Sequence, residues 1–368
     1  MKAVAVFPGA RSVRLIDVPE PRLRKATDVK LRMLEVGVCG TDREIASFQY
    51  GAPPPGSDFL ILGHESLAEV VETGKKVRAL KRGDLVVTTV RRPCAGTRCR
   101  PCRAGRPDFC LTGEFTERGI KREHGYMTEY VVDDERWMSR VPATLRSVGV
   151  LVEPLTIAEK ALGEVWQIQN RLPWMPAGEK VSSRFKAVVL GAGPVGLLGA
   201  MALVAKGFRT FVYSREPLTS PNAEAARAVG AAYVSAGTDT LESLVKKTGN
   251  IDLVYEATGA ARLSFDMMPH LGVNGVFVFT GIPGIKCPIE VKAELIMKNM
   301  VLKNQVLFGT VNADPGAFRR ATADLTLFLR RWPKAVRSLI TSRSPVENFA
   351  ASVLAPPAGI KNVLTFPS

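Results

Sequence analysis

Phe185-Lys-Ala-Val-Val-Leu190 is an apolar run of strand length, and it passes directly into Gly191-Ala-Gly193-Pro-Val-Gly196. Leu197–Lys206 then reads as a helix. A G-x-G-x-x-G that leaves a strand and opens a helix is the dinucleotide-binding fingerprint in its required context. Its glycines permit a tight turn and close approach of a pyrophosphate, which sits on the helix N-terminus. Gly191, Gly193, Pro194, Val195 and Gly196 are therefore expected to bind a nicotinamide cofactor.

Downstream of the fingerprint the periodicity alternates. Strands are expected over Thr210–Tyr213, Ala232–Ser235, Ile251–Glu256 and Val276–Thr280, and helices over Asn222–Val229 and Leu241–Thr248. Strands alternating with helices imply a parallel sheet wound on both faces, an α/β fold. Where NAD-preferring folds place an acid for the ribose diol, the second strand ends Val212-Tyr213-Ser214-Arg215. A hydroxyl and a guanidinium suit a 2′-phosphate, so NADP is the expected cofactor; Glu216 follows directly and leaves room for NAD. Thr258 and Gly259, Phe279 and Thr280, Thr310 and Asn312 complete the expected cofactor-binding set.

Upstream, residues 1 to about 90 read as short strands broken by glycines, with Val29–Val36, Leu67–Val71 and Leu85–Val90 the clearest. Cys39-Gly40-Thr41-Asp42 and Gly63-His64-Glu65 bring a thiol, a hydroxyl, an imidazole and carboxylates into this region. Cys39 and His64 are expected to bind a catalytic zinc, with Glu65 or Glu153 completing the shell and a last position left to water or substrate. Asp42 is expected to accept the second ring N–H of His64. Cys94, Cys99, Cys102 and Cys110 fall within seventeen residues, two of them as C-x-x-C, which is the spacing of a structural tetrathiolate zinc site. A disulfide framework would require an exported chain. Arg91, Arg92, Arg98, Arg100, Arg103 and Arg106 crowd this lobe, where they would offset the thiolate charge. Glu153-Pro154 opens a helix expected to run to Gln169, with Pro154 at its first position.

The chain has 368 residues, suited to two domains, and 46% hydrophobic content, enough for real cores. The net charge of +15 favours anionic partners such as a phosphorylated cofactor or nucleic acid. A zinc-ribbon nucleic-acid module is the rival from another class, but aromatic stacking residues are nearly absent from the cysteine lobe. No apolar run approaches the roughly 18 residues of a membrane span. Met1–Phe7 reads as a first strand and not a leader, so a cytoplasmic protein is expected.

These motifs, in this order, resemble the zinc-dependent medium-chain dehydrogenase/reductase family, and within it the archaeal glucose dehydrogenases. Cys39-Gly-Thr-Asp-Arg-Glu-Ile45, Gly63-His-Glu65, Gly105-Arg-Pro-Asp-Phe-Cys110, Thr112-Gly-Glu-Phe115, Glu153-Pro-Leu155, Gly191–Gly196 and Val311-Asn312 carry the resemblance. It implies a GroES-like irregular β catalytic domain (residues 1–183 and 311–368, with a zinc lobe at about 91–111) and a Rossmann domain (184–310), with the active site between them. It also implies that Cys39, His64 and Glu65 lie near the catalytic zinc, with Glu153 as an alternating or water-linked ligand. Thr41 would stand beside the reacting oxygen, and Glu114 and Asn312 would contact the sugar. The implied activity is oxidation of an aldose at C1 to its lactone with NADP or NAD, in a homotetramer built as a dimer of dimers. Val90 and Ile157 are apolar where some relatives hold sugar hydroxyls. An alcohol or polyol dehydrogenase on the same fold is the near alternative. A zinc-free quinone reductase would need neither the Cys39/His64 pair nor the cysteine lobe.

Overall fold

The computed structural model describes residues 1–96, 98–175, 181–182, 184–284 and 288–367. Position 183, where the first domain is expected to end, lies outside these residues. The chain forms two compact units: Met1–Thr156 with Asn312–Leu327 and Ile340–Ser368, and Ile157–Val311 with Phe328–Leu339.

In the first unit the strand Asp28–Gly37 is central. Val29, Leu31 and Met33 alternate along it and are fully buried, the period-2 pattern of a strand with one face on a core. It pairs antiparallel with Glu65–Thr73, with Tyr130–Asp134 and with Lys361–Thr365. Leu85–Thr88 and Met138–Val141 extend the sheet on one side and Ile340–Pro345 on the other. Register places Gly37 opposite Glu65 on one neighbour and Val363 on the other. The cysteine lobe has little regular structure: a helical turn, Arg100–Arg103, and a 3-10 turn, Pro107–Phe109.

The second unit holds six parallel strands in the spatial order Ala232–Ser235, Arg209–Ser214, Lys186–Leu190, Leu253–Glu256, Val276–Phe279 and Val306–Gly309. Numbered along the chain this is 3-2-1-4-5-6, the order of the doubly wound Rossmann sheet. The helix Pro194–Ala205 starts with proline at its first position, where a missing N–H costs nothing. Ser220 and Thr240 cap the next two helices by accepting from Ala223 N and Ser243 N, each at 3.2 Å.

Element boundaries follow the expected ones to within one or two residues, except that the helix expected from Leu197 already starts at Pro194, and with one difference in kind. The helix expected to start at Pro154 starts at Val152, because a 3-10 turn, Gly149–Leu151, leads into it. Pro154 thus sits third in the helix. It is tolerated there because first-turn N–H groups have no intrahelical partner. Among the described residues no helix is long and apolar enough to cross a membrane.

Candidate metal centres and cofactor loop

Cys39 ends the turn after the central strand and is followed by the short helix Gly40–Ala46. Asp42, fully buried, reaches back from the third helical position. Its Oδ2 accepts from Cys39 N at 2.8 Å and its Oδ1 from Gly63 N at 3.1 Å. Two backbone segments are thereby tied through one carboxylate, which sets the Cys39 turn against the Gly63-His64-Glu65 turn. His64 is 5% exposed, and its Nδ1 lies 3.5 Å from Asp42 Oδ1. The expected pairing of Asp42 with the ring is therefore present as a charge contact longer than a hydrogen bond, since Oδ1 is directed to Gly63.

Cys39, His64 and Glu65 each offer a ligand atom, and these atoms lie within 4.8 Å of one another. Soft sulfur, imidazole and carboxylate together are a donor set for Zn²⁺, and the structure brings them to one point. Glu153 is buried, and burial pushes its pKa up to about 7; His64 and Lys361 oppose this, while Glu65 and Asp42 add to it. Burial also works against a charged His64 ring, but Asp42 and Cys39 outweigh it and hold its pKa well above the usual histidine value. Metal uptake at this ring must release its proton. Thr41 is half-buried in the first helical turn beside Cys39.

Cys94, Cys99, Cys102 and Cys110 also converge, with ligand atoms within 4.8 Å of one another. Cys99 Sγ and Cys110 Sγ stand 3.9 Å apart, against an edge of ~3.8 Å for a tetrahedron of 2.3 Å Zn–S bonds. The set fits a structural zinc. Burial raises the Cys110 pKa, but the Thr112 hydroxyl and nearby backbone N–H groups pull it down to about 6. Burial drives Cys102 up to about 12. The arginines do not all serve the thiolates as expected. Arg91 binds Glu117 Oε1 and the Asp108 carbonyl, and Arg92 binds Asp133, Tyr126 OH and Thr89. Arg106 grips Asp108, while Arg98, Arg100 and Arg103 are exposed. Carboxylates draw the first three away.

Asn312, in the left-handed region at φ 61°, donates to Glu117 Oε1 at 2.7 Å. Glu117 is 4% exposed and shared with Arg91, whereas Glu114 is exposed and pairs with Arg122. Glu117 was not singled out in the sequence, where it is one more acid in an Arg/Glu-rich stretch.

In the second unit the fingerprint loop is held from both sides. Gly191 N donates to Tyr213 O at 2.9 Å, Ala192 N to Ser214 Oγ at 3.2 Å, and Asn222 Nδ2 to Ala192 O at 2.7 Å. A Cβ on Gly196 would come within 2.2 Å of Gly191 O, so the first turn of the helix can pack this closely on the loop only with glycine there. Ser214 is buried and its hydroxyl donates to Glu216, while the Arg215 side chain is 91% exposed. Glu256 went unnoticed in the sequence. Its buried carboxylate accepts from the backbone N–H of Thr258, Gly259 and Gly281, at 2.6, 2.8 and 3.1 Å, and ties together two loops expected to hold the cofactor. Thr280 N–H and hydroxyl both donate to Glu256 O, and Thr310 N to Phe279 O. The only sequence signal was an acid closing a strand before Thr-Gly.

Residues 25–143 match the alcohol dehydrogenase GroES-like domain, and residues 146–366 match the glucose dehydrogenase C-terminus. A glucose 1-dehydrogenase of Methanocella arvoryzae is 40% identical over 349 residues, covering 95% of this chain and 94% of that protein. One from Metallosphaera sedula is 39% identical over 371 residues, covering 99% and 98%. The structure of Haloferax mediterranei glucose dehydrogenase in complex with NADP, Zn and gluconolactone superposes with a TM-score of 0.88 at 33% identity, covering 100% of both chains. The chain belongs to the zinc-dependent medium-chain dehydrogenase/reductase family, in its glucose dehydrogenase branch.

Proposed function

We propose that this chain oxidises an aldose, D-glucose first, at C1 to the aldonolactone with NADP⁺, and accepts NAD⁺ as well. The observation that carries the reading is the convergence of Cys39, His64 and Glu65 in a chain alike end to end to glucose dehydrogenases. Cys39 and His64 hold the catalytic zinc, with Glu65 or Glu153 as the further ligand; bound there, zinc supplies Lewis-acid polarisation of the hydroxyl to be oxidised. The Gly191–Gly196 loop and the loops that Glu256 ties would hold NADP⁺, which would supply the hydride acceptor. Thr41 takes the proton from the C1 hydroxyl and passes it towards solvent. Asp42 keeps the Cys39 and His64 turns in place. The cysteine lobe carries the structural zinc. The same reading places the catalytic domain at 1–183 and 311–368, the Rossmann domain at 184–310 and the protein in the cytoplasm as a homotetramer, which sedimentation tests. One panel of aldoses, polyols and simple alcohols, assayed with both cofactors, tests the reading. Aldoses should lead; turnover confined to polyols or alcohols would establish the alternative on the same fold.

For the sugar, Glu114→Ala and Asn312→Ala are each expected to lower kcat/KM about tenfold or more without removing zinc, the effect of losing one charge-assisted or buried hydrogen bond. Unchanged values in both would move the sugar off these residues.

For the cofactor, Arg215 offers planar, permanently charged donors to a 2′-phosphate. Arg215→Ala should cut kcat/KM for NADP⁺ about tenfold and leave NAD⁺ nearly untouched. An unchanged ratio between the cofactors would show that the phosphate is read elsewhere.

A further inference from the structure

A buried lysine stands beside the first metal-ligand set, and no motif pointed to it. Lys361 opens the strand Lys361–Thr365 and is 3% exposed. Its ammonium contacts both carboxylate oxygens of Glu65, at 2.7 and 2.6 Å, and the carbonyl of Val38 at 3.2 Å. All three of its N–H groups are thereby used. Glu65 is 1% exposed. The two side chains come from the strands flanking Asp28–Gly37 and meet across its last residue. A Cβ on Gly37 would fall 2.1 Å from Glu65 Oε2, so glycine there is what gives the carboxylate its place.

The same carboxylate belongs to the ligand set with Cys39 and His64. Glu65 thus stands between two cations, the Lys361 ammonium and the metal that the set would hold. A carboxylate with both oxygens engaged by an ammonium is a weak competitor for a metal, and one released from that ammonium inside a buried site is drawn to the metal that His64 and Cys39 would hold beside it.

We propose that Lys361 is a positioning residue that governs whether Glu65 ligates the catalytic zinc, and so keeps a coordination position available to substrate. This rests on the zinc reading above. A lysine that merely tied two strands would affect stability and leave the metal unaffected.

The test uses the full chain with Co²⁺ in place of the catalytic zinc for visible spectra, and the zinc form for metal loss to a chelator. In Lys361→Met the freed Glu65 carboxylate should turn to the metal. The cobalt bands should shift, zinc should leave roughly tenfold more slowly, and kcat should fall by at least as much, in line with the effect of residues supporting a metal ligand. Lys361→Arg should restore the original spectrum. Gly37→Ala displaces the same carboxylate without touching the lysine and should reproduce the Lys361→Met shift. Glu65→Gln should act in the opposite sense, with zinc leaving faster. In Lys361→Met/Glu65→Gln the shift should vanish. An unchanged spectrum and release rate in folded Lys361→Met, or a shift that survives Glu65→Gln, overturns the proposal. Metal analysis of the unsubstituted chain separates the two levels. Two zinc ions with a silent Lys361→Met remove only this inference, whereas a single zinc indifferent to His64→Ala removes the zinc reading itself.

Discussion

His64→Ala is expected to lower glucose oxidation on the order of 10³-fold or more while thermal unfolding stays close to that of the unsubstituted chain. Polarisation by a bound metal is worth several kcal/mol, and each 1.36 kcal/mol is a factor of ten in rate. Removing one of the protein ligands forfeits most of that. The fold should survive, because the turn that carries His64 is not held by its ring. Gly63 N and Cys39 N both donate to Asp42, which stays in place when the imidazole is gone. Zinc content should fall by one ion per chain. Cys39→Ser should behave alike. Substantial turnover in His64→Ala, or loss of turnover with full zinc content, would contradict the assignment.

Cys102→Ser is expected to do the reverse, lowering stability far more than turnover. Among its described residues the lobe leaves its large apolar side chains in solvent: Phe109 is 46% and Leu111 75% exposed. What gathers it is the convergence of four sulfurs. Binding free energy at a structural zinc is folding free energy, about 10–16 kcal/mol in zinc-finger peptides. Even ~4 kcal/mol of loss would lower the unfolding midpoint by roughly 10 °C in a domain of this size. The measurements are zinc content and thermal unfolding, with kcat taken well below the transition. An unchanged midpoint in a variant that has lost one zinc would show the lobe to be dispensable for stability.

What was legible in the sequence was local. Phe185–Gly196 declares strand, turn and helix within a dozen residues, and the four cysteines declare one another within seventeen. Cys39 and His64 were legible as residue types, but only antiparallel pairing and the Asp42 tie bring their turns together. Lys361 was not legible. Its partner Glu65 lies 296 positions away, and their meeting depends on the register of two strands on either side of Gly37. Glu117 was hidden for a similar reason: Arg91 and Asn312 reach it from 26 and 195 positions away. The arginine-rich lobe was read as charge balance for thiolates because composition cannot say which carboxylate a guanidinium faces. Glu216 shows the same limit at the cofactor loop. Sequence placed it beside Ser214 and Arg215, and the fold brings its carboxylate to the Ser214 hydroxyl and, at 3.6 Å, to Nε of an Arg215 side chain that is otherwise 91% exposed.

The most direct test is a metal titration of turnover. The purified chain is stripped of its weakly held metal with a chelator, then given Zn²⁺ in steps with D-glucose and NADP⁺ present. Reduced cofactor, lactone and bound zinc are measured at each step. Lactone should form in step with reduced cofactor, and the rate should rise in proportion to the second zinc, from near zero when only the cysteine lobe is filled. Full activity with the lobe alone filled, or no lactone from any aldose at full zinc occupancy, would contradict zinc-dependent sugar oxidation at Cys39 and His64.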